Sequence, residues 1–414
     1  MAARATIYPL GFVALALLDT LFTQWAVYFH TEGAEATATS ARFVGVALLG
    51  GYALQSALNP LLGAASDGLR HRWGRRRPFV LAGAPVLAIA FAGVWQVGGV
   101  AGLALIPLYC AAFTLVAQPY TTLLPTIAPV EATRVRLMLI GSMLGFTASG
   151  AALVGGPAIL EVGSFASLGV IGFTAAWLFL FVPALLLREP PAAREAAPAR
   201  EPFFASAKQL VAQRPVRRFL VGNMCLFAGV GLLTMISPFI PEALIGRERS
   251  YTAVLNAWLF GGMMAALPVM VRIGGRVHPA SIMAAGALAG AAVLGVMSAA
   301  VLGGASALWL WWLGYLLLGA TVLLALAGPS LVLSRLAERD GRGREGLLFG
   351  LNGAIAIGLG RAIAALAMGA LFGGLVPVSS ATGALSSMVV AGSLFAGAAW
   401  LLAASARPDD KIDV

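Results

Sequence analysis

Two ionisable residues interrupt long apolar runs of this sequence, and their side chains are the best placed to do chemistry. Asp19 lies twelve residues into the first run, about 18 Å along a helix that rises ~1.5 Å per residue. Arg361 lies at a similar depth in the eleventh run. Because a charge in hydrocarbon is costly, such residues are functional candidates by default. Asp19 can accept hydrogen bonds from hydroxyl groups or take up a proton, and Arg361 can hold an anionic group; a structural ion pair, for instance with each other, is the alternative.

Uncharged polar and aromatic side chains inside the apolar runs form a second set of candidates. Gln55 and Asn59 are one helical turn apart and therefore share a helix face. Their amides can hydrogen-bond a polar ligand or simply bond to neighbouring helices. Aromatic rings in the same runs offer flat surfaces on which a ring-shaped ligand can stack. The full set comprises Gln55, Asn59, Gln118, Asn352, Trp25, Tyr120 and Tyr315.

The composition identifies the environment in which these residues must be held. Hydrophobic residues make up 60% of the 414 residues and charged residues only 11%, with a mean hydropathy of +0.90. A soluble domain is about 45–50% apolar and about 25% charged. The composition therefore excludes a disordered protein, a cytosolic enzyme and a disulfide-stapled secreted domain. The 50 glycines suit membrane helices, where small residues let backbones approach closely.

Twelve apolar runs are long enough to cross a bilayer. A helix needs ~20 apolar residues to cross ~30 Å of hydrocarbon. The predicted spans are 7–29, 42–65, 79–97, 102–124, 136–158, 167–187, 218–240, 253–272, 281–302, 308–333, 347–372 and 385–404. We therefore predict an all-α membrane protein with twelve transmembrane helices.

The distribution of positive charge predicts the orientation of these spans. If the N-terminus is inside, 23 of the 27 basic residues fall in cytoplasmic segments and three fall outside, with Arg361 within a span. Cytoplasmic loops of membrane proteins carry such an excess of Lys and Arg. We expect a multi-pass protein of the cytoplasmic (inner) membrane with both termini in the cytoplasm. The same rule explains the sequence pI near 10.4 better than nucleic-acid binding does.

The longest loop divides the spans into two sets of six. It begins with a Pro- and Ala-rich stretch of alternating charge, which is typical of a linker, and ends in an amphipathic segment, 203–214, predicted to lie on the inner membrane surface. A six-plus-six pattern indicates two halves related by an axis along the membrane normal. The predicted domains are residues 1–187, a linker with a short amphipathic helix at 188–217, residues 218–404, and a tail at 405–414.

The loop after the second span carries the most specific motif. Its sequence, GAASDGLRHRWGRRRPF, runs from Gly63 to Phe79. Glycine permits close helix approach, the aspartate ends a helix, and the arginines can anchor the loop to lipid phosphates and carboxylates. The loop resembles the signature loop of the major facilitator superfamily, in the long form found in glycoside–cation symporters and in sucrose and SLC45-type transporters. The resemblance assigns a conformational switch to Gly63, Asp67, Arg72, Gly74, Arg75, Arg76 and Arg77.

Two further stretches carry the same resemblance into both halves of the chain. The segment from Pro119 to Ile127, with Arg134 downstream, is similar to the fourth span of glycoside symporters. Arg344, Glu345 and Gly346, followed by a run containing Arg361, are similar to the family's eleventh span. The resemblance implies the major facilitator fold of two six-helix halves and a transport function.

The resemblance also assigns roles to individual positions and shows where the chain departs from the family. An acid at the position of Asp19 binds sugar in melibiose permease, and a sugar-binding arginine of span 5 is replaced here by Ser142. The carboxylates that hold sodium in the glycoside symporters are replaced by Gln55, Asn59 and Ala117. A sodium site of that design is therefore not expected, and Asp19 is the candidate for proton coupling.

No sequence motif indicates an enzyme, a metal site or a cofactor. P-loop, GxSxG and HExxH motifs do not occur, and the three histidines share no ligand spacing. The two cysteines, Cys110 and Cys225, lie in apolar runs and are expected to be small buried hydrophobes.

The sequence thus predicts a secondary transporter that moves a small polar solute, a sugar or glycoside, by alternating access. Its expected partners are the solute, a coupling proton and membrane lipids, without nucleic acid, and it is expected to act as a monomer. One alternative is transport of an anionic or amphipathic solute such as a lysolipid, held by Arg361. Another is a non-transporting pigment-delivery or assembly protein on the same fold.

Overall fold

A computed structural model shows an all-helical chain over the residues that it describes: 6–32, 41–69, 71–128, 130–187, 189, 203–273, 276–304, 307–326, 328–340, 345–372 and 380–406. Twelve helices within these residues are long and apolar enough to cross a membrane. Spans 1 to 6 are Tyr8–Glu32, Ala41–Gly63, Arg77–Val94, Gly99–Leu124, Arg136–Val162 and Phe165–Leu186. Spans 7 to 12 are Arg214–Phe239, Arg249–Ile273, Pro279–Leu302, Leu308–Asp340, Leu347–Gly369 and Ala381–Ser405.

The twelve predicted spans are confirmed, with most boundaries shifted by a few residues. Several helices extend past the apolar run into polar flanks, because backbone hydrogen bonds continue where hydropathy falls. Span 10 shows the largest extension, since an amphipathic helix, Pro329–Asp340, follows its apolar part. Proline stands at the first or second helical position of spans 3, 7 and 9, where its missing N–H costs nothing.

The chain divides into two compact units, Met1–Glu195 and Ala196–Val414. Spans 1 to 6 belong to the first unit and spans 7 to 12 to the second, and we call these units the first half and the second half. The dividing point falls inside the stretch predicted to be a linker. The exact domain boundaries drawn from the sequence stay a prediction.

Glycines bring the spans of each half into close contact. In the first half, a Cβ placed on Gly141 of span 5 would lie 2.6 Å from the ring of Phe12 in span 1. In the second half, a Cβ on Gly286 of span 9 would lie 2.6 Å from the backbone nitrogen of Ala325 in span 10. Gly141 and Gly286 each begin a Gly-x-x-x-Gly pair, with Gly145 and Gly290, and this spacing is typical of helix-packing faces.

The predicted amphipathic segment before span 7 forms the helix Phe203–Ala212, which we call the linker helix. Ser206 and Leu210 on one side of it are buried, and the helix contacts the helices of spans 7 and 11. This burial shows that part of its apolar face packs on protein. Its placement on the membrane surface stays a prediction.

Candidate functional site

Asp19 occupies the middle of span 1 and is half-buried. Its neighbours along the helix tie span 1 to other spans of the first half. The hydroxyl of Thr20 donates to the hydroxyl of Ser149 in span 5 over 3.0 Å, and Thr23 shares a 3.5 Å contact with Tyr52 of span 2. Asp19 is thus carried by a helix fixed on two sides by polar contacts.

Spans 2 and 4 together present a strip of amide side chains. Gln55, Asn59 and Gly63 follow one another at four-residue spacing on the long helix that contains span 2. Across from it, the Nε2 atom of Gln118 lies 3.7 Å from the point where a Cβ on Gly63 would be. The structure therefore brings Gln118 beside the line of span 2 that carries Asn59, a grouping that the separate sequence positions do not reveal.

Trp25, which the sequence offers as a stacking surface for the solute, is fully buried within the first half. Its indole nitrogen lies 2.9 Å from a Cβ placed on Gly156 of span 5, and its ring contacts Tyr28 and Phe165 edge-on. The preceding residue, Gln24, is also fully buried, and within the described residues neither of its amide atoms has a hydrogen-bond partner. The contacts of Trp25 are those of a packing residue.

Tyr120 connects span 4 to the beginning of span 1. Its ring stacks on that of Tyr8 at 4.9 Å, and its hydroxyl accepts from the backbone nitrogen of Gly11 over 3.2 Å and donates to the backbone oxygen of Tyr8. A Cβ on Gly11 would collide with the Tyr120 ring. These contacts place Tyr120 at an end of the span-1 helix, and its contact with a solute stays a prediction.

Ser142 is exposed on span 5. Its neighbour Gly141 faces span 1, so Ser142 projects from a different side of the helix. It therefore does not join the amide strip of spans 2 and 4 through any contact in the described structure, and its role stays a prediction.

The signature loop is closed by a carboxylate from the far end of the first half. One oxygen of Glu189, just past span 6, accepts from the backbone nitrogens of Arg76 and Arg77 over 2.9 and 3.0 Å. These nitrogens lie at the beginning of the span-3 helix, where unpaired N–H groups and the helix dipole favour an anion. Gly74 has φ of +98°, and a Cβ there would overlap the Glu189 carboxylate. The loop thus needs glycine both for its backbone conformation and for the room that Glu189 takes.

Two arginines of the loop bind the carboxyl ends of neighbouring helices. The guanidinium of Arg77 donates to the backbone oxygens of Ala184 and Leu185 at the end of span 6, each over 2.7 Å. That of Arg76 donates to the backbone oxygen of Thr122 in span 4. Cations at the carboxyl ends of helices satisfy carbonyls that lack helical partners. We call the contacts of Glu189, Arg76 and Arg77 the loop clasp.

The remaining loop residues are less enclosed. Arg72 is exposed and lies over the ring of Trp73 at 5.2 Å, and Arg75 is half-buried. Gly63 lies within the helix Ala41–Gly68 that ends at the loop, and Asp67 is in its last turn. The Asp67 side chain lies outside the described part of the structure, so the assigned switch role of Asp67 stays a prediction.

In the second half, Asn352 and Arg361 both reach span 7. Asn352 is buried and its side-chain oxygen accepts from the amide of Asn223 over 2.8 Å. Arg361 is half-buried, and its Cγ lies 3.9 Å from the point where a Cβ on Gly231 would be. Asn223 and Gly231 belong to span 7. The two predicted residues of span 11 therefore lie along one neighbouring helix.

Tyr315 joins a hydrogen-bonded group contributed by spans 7, 8 and 10. It is 5% exposed and shares a hydrogen bond with Ser237, whose hydroxyl donates to the Asn256 side-chain oxygen over 3.3 Å. Nearby, the indole of Trp312 donates to the Tyr251 hydroxyl over 2.7 Å and stacks at 6.0 Å on Trp258. This grouping offers hydroxyl, amide and aromatic surfaces within one half.

Sequence reasoning missed Asn223, Ser237 and Asn256. Each is a single polar residue in an apolar span, the signal that led to Asn352 and Gln118. Asn223 stands close to the Arg217–Arg218 pair and Ser237 beside a proline, so both can be mistaken for residues at span ends. Their burial, which the sequence does not give, distinguishes them.

Among the described residues, no group of three or more His, Cys, Asp or Glu side chains is placed so that it could hold a metal ion. Cys110 is buried and Cys225 is half-buried.

A family model described as MFS/sugar transport protein matches residues 7–405, nearly the whole chain. The chain belongs to this family. No curated protein sequence matches it significantly. Family membership makes the chain a multi-pass membrane transporter of the major facilitator type that binds a small-molecule substrate.

Solved transporter structures share its fold at low sequence identity. The nucleoside transporter NupG superposes with a TM-score of 0.71 at 12% identity, over 98% of this chain and 99% of that one. A D-xylose-proton symporter gives 0.73 at 13% identity, over 96% of both chains. A bacterial homolog of the human lysosomal transporter Spinster, inward-facing and unoccupied, gives 0.64 at 17% identity, over 98% and 96%. At these identities the likeness concerns the major facilitator fold alone.

Proposed function

We propose that this protein is a secondary active transporter of a sugar or glycoside, coupled to protons rather than to sodium. The observation that carries the proposal is the match of a sugar-transport family model to residues 7–405. The polar residues of each half agree with a solute rich in hydroxyl groups, because amides donate to and accept from hydroxyls and carboxylates accept from them. The membership of a transporter family weighs against a non-transporting assembly role.

The proposal of proton coupling rests on the position of Asp19 and on the lack of carboxylates at the positions that bind sodium in the glycoside symporters. Asp19 is half-buried in the middle of span 1. A carboxylate is costly there, which makes it a candidate for a functional role. The positions that would supply further carboxylates for sodium hold Gln55, Asn59 and Ala117. A proton needs only one carboxylate, whereas sodium needs several hard oxygen ligands.

The second half supplies two groups of candidate solute contacts. Arg361 and Asn352 lie along span 7, and Tyr315 lies with Ser237 and Asn256. With Asp19, Gln55, Asn59 and Gln118 of the first half, they are our proposed substrate residues. Trp25 and Tyr120 are left out of this set, because their rings pack against glycines and other aromatic rings.

The loop clasp supports the proposed role of the signature loop as a conformational switch. It joins the beginning of span 3 to the ends of spans 4 and 6 through charged groups that can separate and meet again. Following the charge bias, we place this loop and both termini on the cytoplasmic side of the inner membrane. We take the working unit to be a monomer.

Transport by purified protein in lipid vesicles tests the proposal. Vesicles preloaded with unlabelled sucrose, melibiose or glucose should take up the same labelled sugar by exchange, and an inward proton gradient should drive its accumulation. A sodium gradient alone should not. Uptake of labelled lysolipid without exchange of any sugar would instead favour the amphipathic-solute alternative, since that solute would rely on Arg361.

Substitution of Asp19 separates coupling from binding. Asp19→Asn should abolish accumulation driven by the proton gradient and leave sugar exchange, because the amide keeps hydrogen-bonding capacity but cannot take up a proton. The matched control is Glu161→Gln, an exposed acid at the end of span 5, which should accumulate sugar as the unmodified protein does. Accumulation that survives Asp19→Asn would exclude Asp19 as the coupling group.

A further inference from the structure

Span 11 contains an eight-residue π-helical segment, Asn352–Leu359. The π-helix, with i→i+5 hydrogen bonds, is rare and mostly limited to a single turn, frequently at functional sites. Gly353 and Gly358 within the segment weaken the preference for an α-helix. The segment is flanked by α-helix on both sides, so it changes the rotation of span 11 without ending it.

The π segment changes which residues of span 11 share a face. Asn352 and Arg361 are nine residues apart, about two and a half turns of an α-helix at 3.6 residues per turn, and would point to opposite sides. In the structure both reach span 7, Asn352 at Asn223 and Arg361 at Gly231. The wider π turns therefore take up about half a turn and bring the two side chains to the same neighbour.

A buried amide pair fixes this rotation at its start. Asn223 is fully buried, and its amide donates to Asn352 over 2.8 Å. The Asn223 side-chain oxygen has no hydrogen-bond partner among the described residues, so the bond that its amide nitrogen donates to Asn352 is the one hydrogen bond of this side chain there. An unpaired amide in an apolar interior is costly. The amide nitrogen of Asn223 therefore keeps this hydrogen bond only while Asn352 faces span 7.

Close backbone contact transmits the rotation to Arg361. Directly after the π segment, a Cβ on Gly360 would lie 2.7 Å from the backbone oxygen of Met224 in span 7. One turn further, the Cβ of Ala364 lies 3.2 Å from a Cβ placed on Gly231. The backbones of spans 7 and 11 are in contact here. If span 11 rotated about its axis, different side chains of span 11 would therefore face span 7.

We propose that Asn223 is a positioning residue that holds the π-helical rotation of span 11 through Asn352 and thereby directs Arg361 toward span 7. That Arg361 contacts solute is part of the proposed function, whereas the rotation itself is independent of any solute. The inference names Asn223 as a determinant of the site although its own side chain is fully enclosed.

Disulfide trapping across spans 7 and 11 tests the rotation directly. In a chain with Cys110→Ser and Cys225→Ser, Gly231→Cys is combined in turn with cysteine at Ala362, Ile363, Ala364 and Ala365. Short Cβ–Cβ distances favour disulfides, so the highest yield is expected at Ala364. Asn223→Leu should move the highest yield to an adjacent position. The ratio of the yield at Ala364 to the yield at that position should change about three- to tenfold, which corresponds to the free energy of one interhelical hydrogen bond.

A second cysteine pair reports on the fold. Leu294→Cys with Gly392→Cys joins spans 9 and 12, where the Cβ–Cβ distance is 3.5 Å, and its yield should be the same with and without Asn223→Leu. Asn352→Asp keeps an acceptor for Asn223 and should retain the native pattern, whereas Asn352→Ala should shift it. If Asn223→Leu lowers the control pair, Asn352→Ala replaces it and must show the same shift.

The proposal would be overturned if the highest disulfide yield stayed at Ala364 in both Asn223→Leu and Asn352→Ala. The assay uses the full chain and no solute, so its failure leaves the transport proposal untouched. Conversely, vesicles that exchange no sugar would not change the trapping result.

Discussion

Glu189 shows how much a single buried side chain does in the first half. Its carboxylate oxygen accepts two backbone hydrogen bonds at the beginning of span 3 and sits where Gly74 leaves room. Hydrogen bonds to an ionised acceptor are stronger than those between neutral groups. One residue thus connects the chain after span 6 to the loop between spans 2 and 3.

Removal of this carboxylate should loosen the loop clasp. We expect Glu189→Ala to lower the free energy of unfolding by about 1–2 kcal/mol, as for loss of a helix N-cap, and Glu189→Gln to have a smaller effect because one amide oxygen still accepts. Thermal unfolding of the purified protein measures both. Glu248→Ala, at an exposed acid without a capping contact, is the control, and equal losses for Glu189→Ala and Glu248→Ala would contradict the clasp.

His278, just before span 9, should make stability depend on pH. Burial, with a further contribution from Arg335 and Arg339, lowers the pKa of His278 from its ordinary value of about 6.5. The neutral ring is therefore favoured in the folded chain, where its Nδ1 accepts from the backbone nitrogen of Ala280. The stabilisation is complete above about pH 6.5 and is lost as the pH falls below it, because the unfolded chain takes up the proton first.

The substitution His278→Asn isolates this effect. Asparagine also caps helices but does not titrate. The variant should match the unmodified protein in thermal unfolding at pH 8 and lose less stability than it does between pH 7 and pH 5. Parallel pH profiles for the two proteins would show that His278 does not contribute.

Single residues also mark the limit of prediction from sequence. Asp19, Arg361 and Asn352 stand out because charges and amides are rare in apolar runs. Tyr120 and Trp25 belong to equally apolar runs, yet the structure packs both against glycines, Gly11 and Gly156, that lie far from them in sequence. Hydropathy gives the depth of a side chain in a span but not the neighbour that it faces.

Among the elements, spans 8 and 10 make the closest contact through glycine. A Cβ on Gly262 would lie 1.8 Å from the backbone oxygen of Leu316, and one on Gly319 would lie 1.8 Å from that of Leu259. Each helix thus places its backbone against a glycine of the other. Backbone cannot move aside as a flexible side chain can, so neither position has room for a methyl group.

Added methyl groups should therefore separate these two spans. We expect Gly262→Ala and Gly319→Ala each to lower the free energy of unfolding by about 1–3 kcal/mol, the usual cost of overpacking. Gly295→Ala in span 9 is the matched control, since no atom lies within 4 Å of its added Cβ, and it should keep the native stability. Unfolding measurements in one detergent compare all three.

The elements were predictable because their cause is local. An apolar run of sufficient length must form a helix in a bilayer, where each backbone group needs a partner. The π segment of span 11 was not predictable in this way. Its residues are as apolar as the flanking α-helix, and its rotation depends on contacts of Asn223 and Gly360 with the other helix.

At the scale of the whole molecule, the charge bias predicts the orientation of all twelve spans. In the cysteine-free chain, we expect Glu248→Cys to react with a membrane-impermeant maleimide in intact cells, because it should face outward. Arg72→Cys should react only after permeabilisation. Both positions are exposed, so access to the reagent depends on the side of the membrane. The opposite pattern would place both termini outside.

The two ends of the linker are fastened to different halves. Before it, Glu189 holds the signature loop of the first half, and after it, the linker helix buries Leu210 against the second half. Glu189 and Leu210 therefore mark, on either side of the residues between them, where the chain packs in each half.

The π segment also affects how span 11 fits the bilayer thickness. Its 23 residues, Leu347–Gly369, would measure about 34 Å as a continuous α-helix, more than the ~30 Å of hydrocarbon. Wider turns advance less per residue, so the eight π residues shorten the span by a few ångströms. A span whose length matches the hydrocarbon thickness has little hydrophobic mismatch. A longer span would have to relieve the mismatch, for example by tilting. The same eight residues that direct Arg361 thus also bring the length of span 11 closer to the thickness of the hydrocarbon layer.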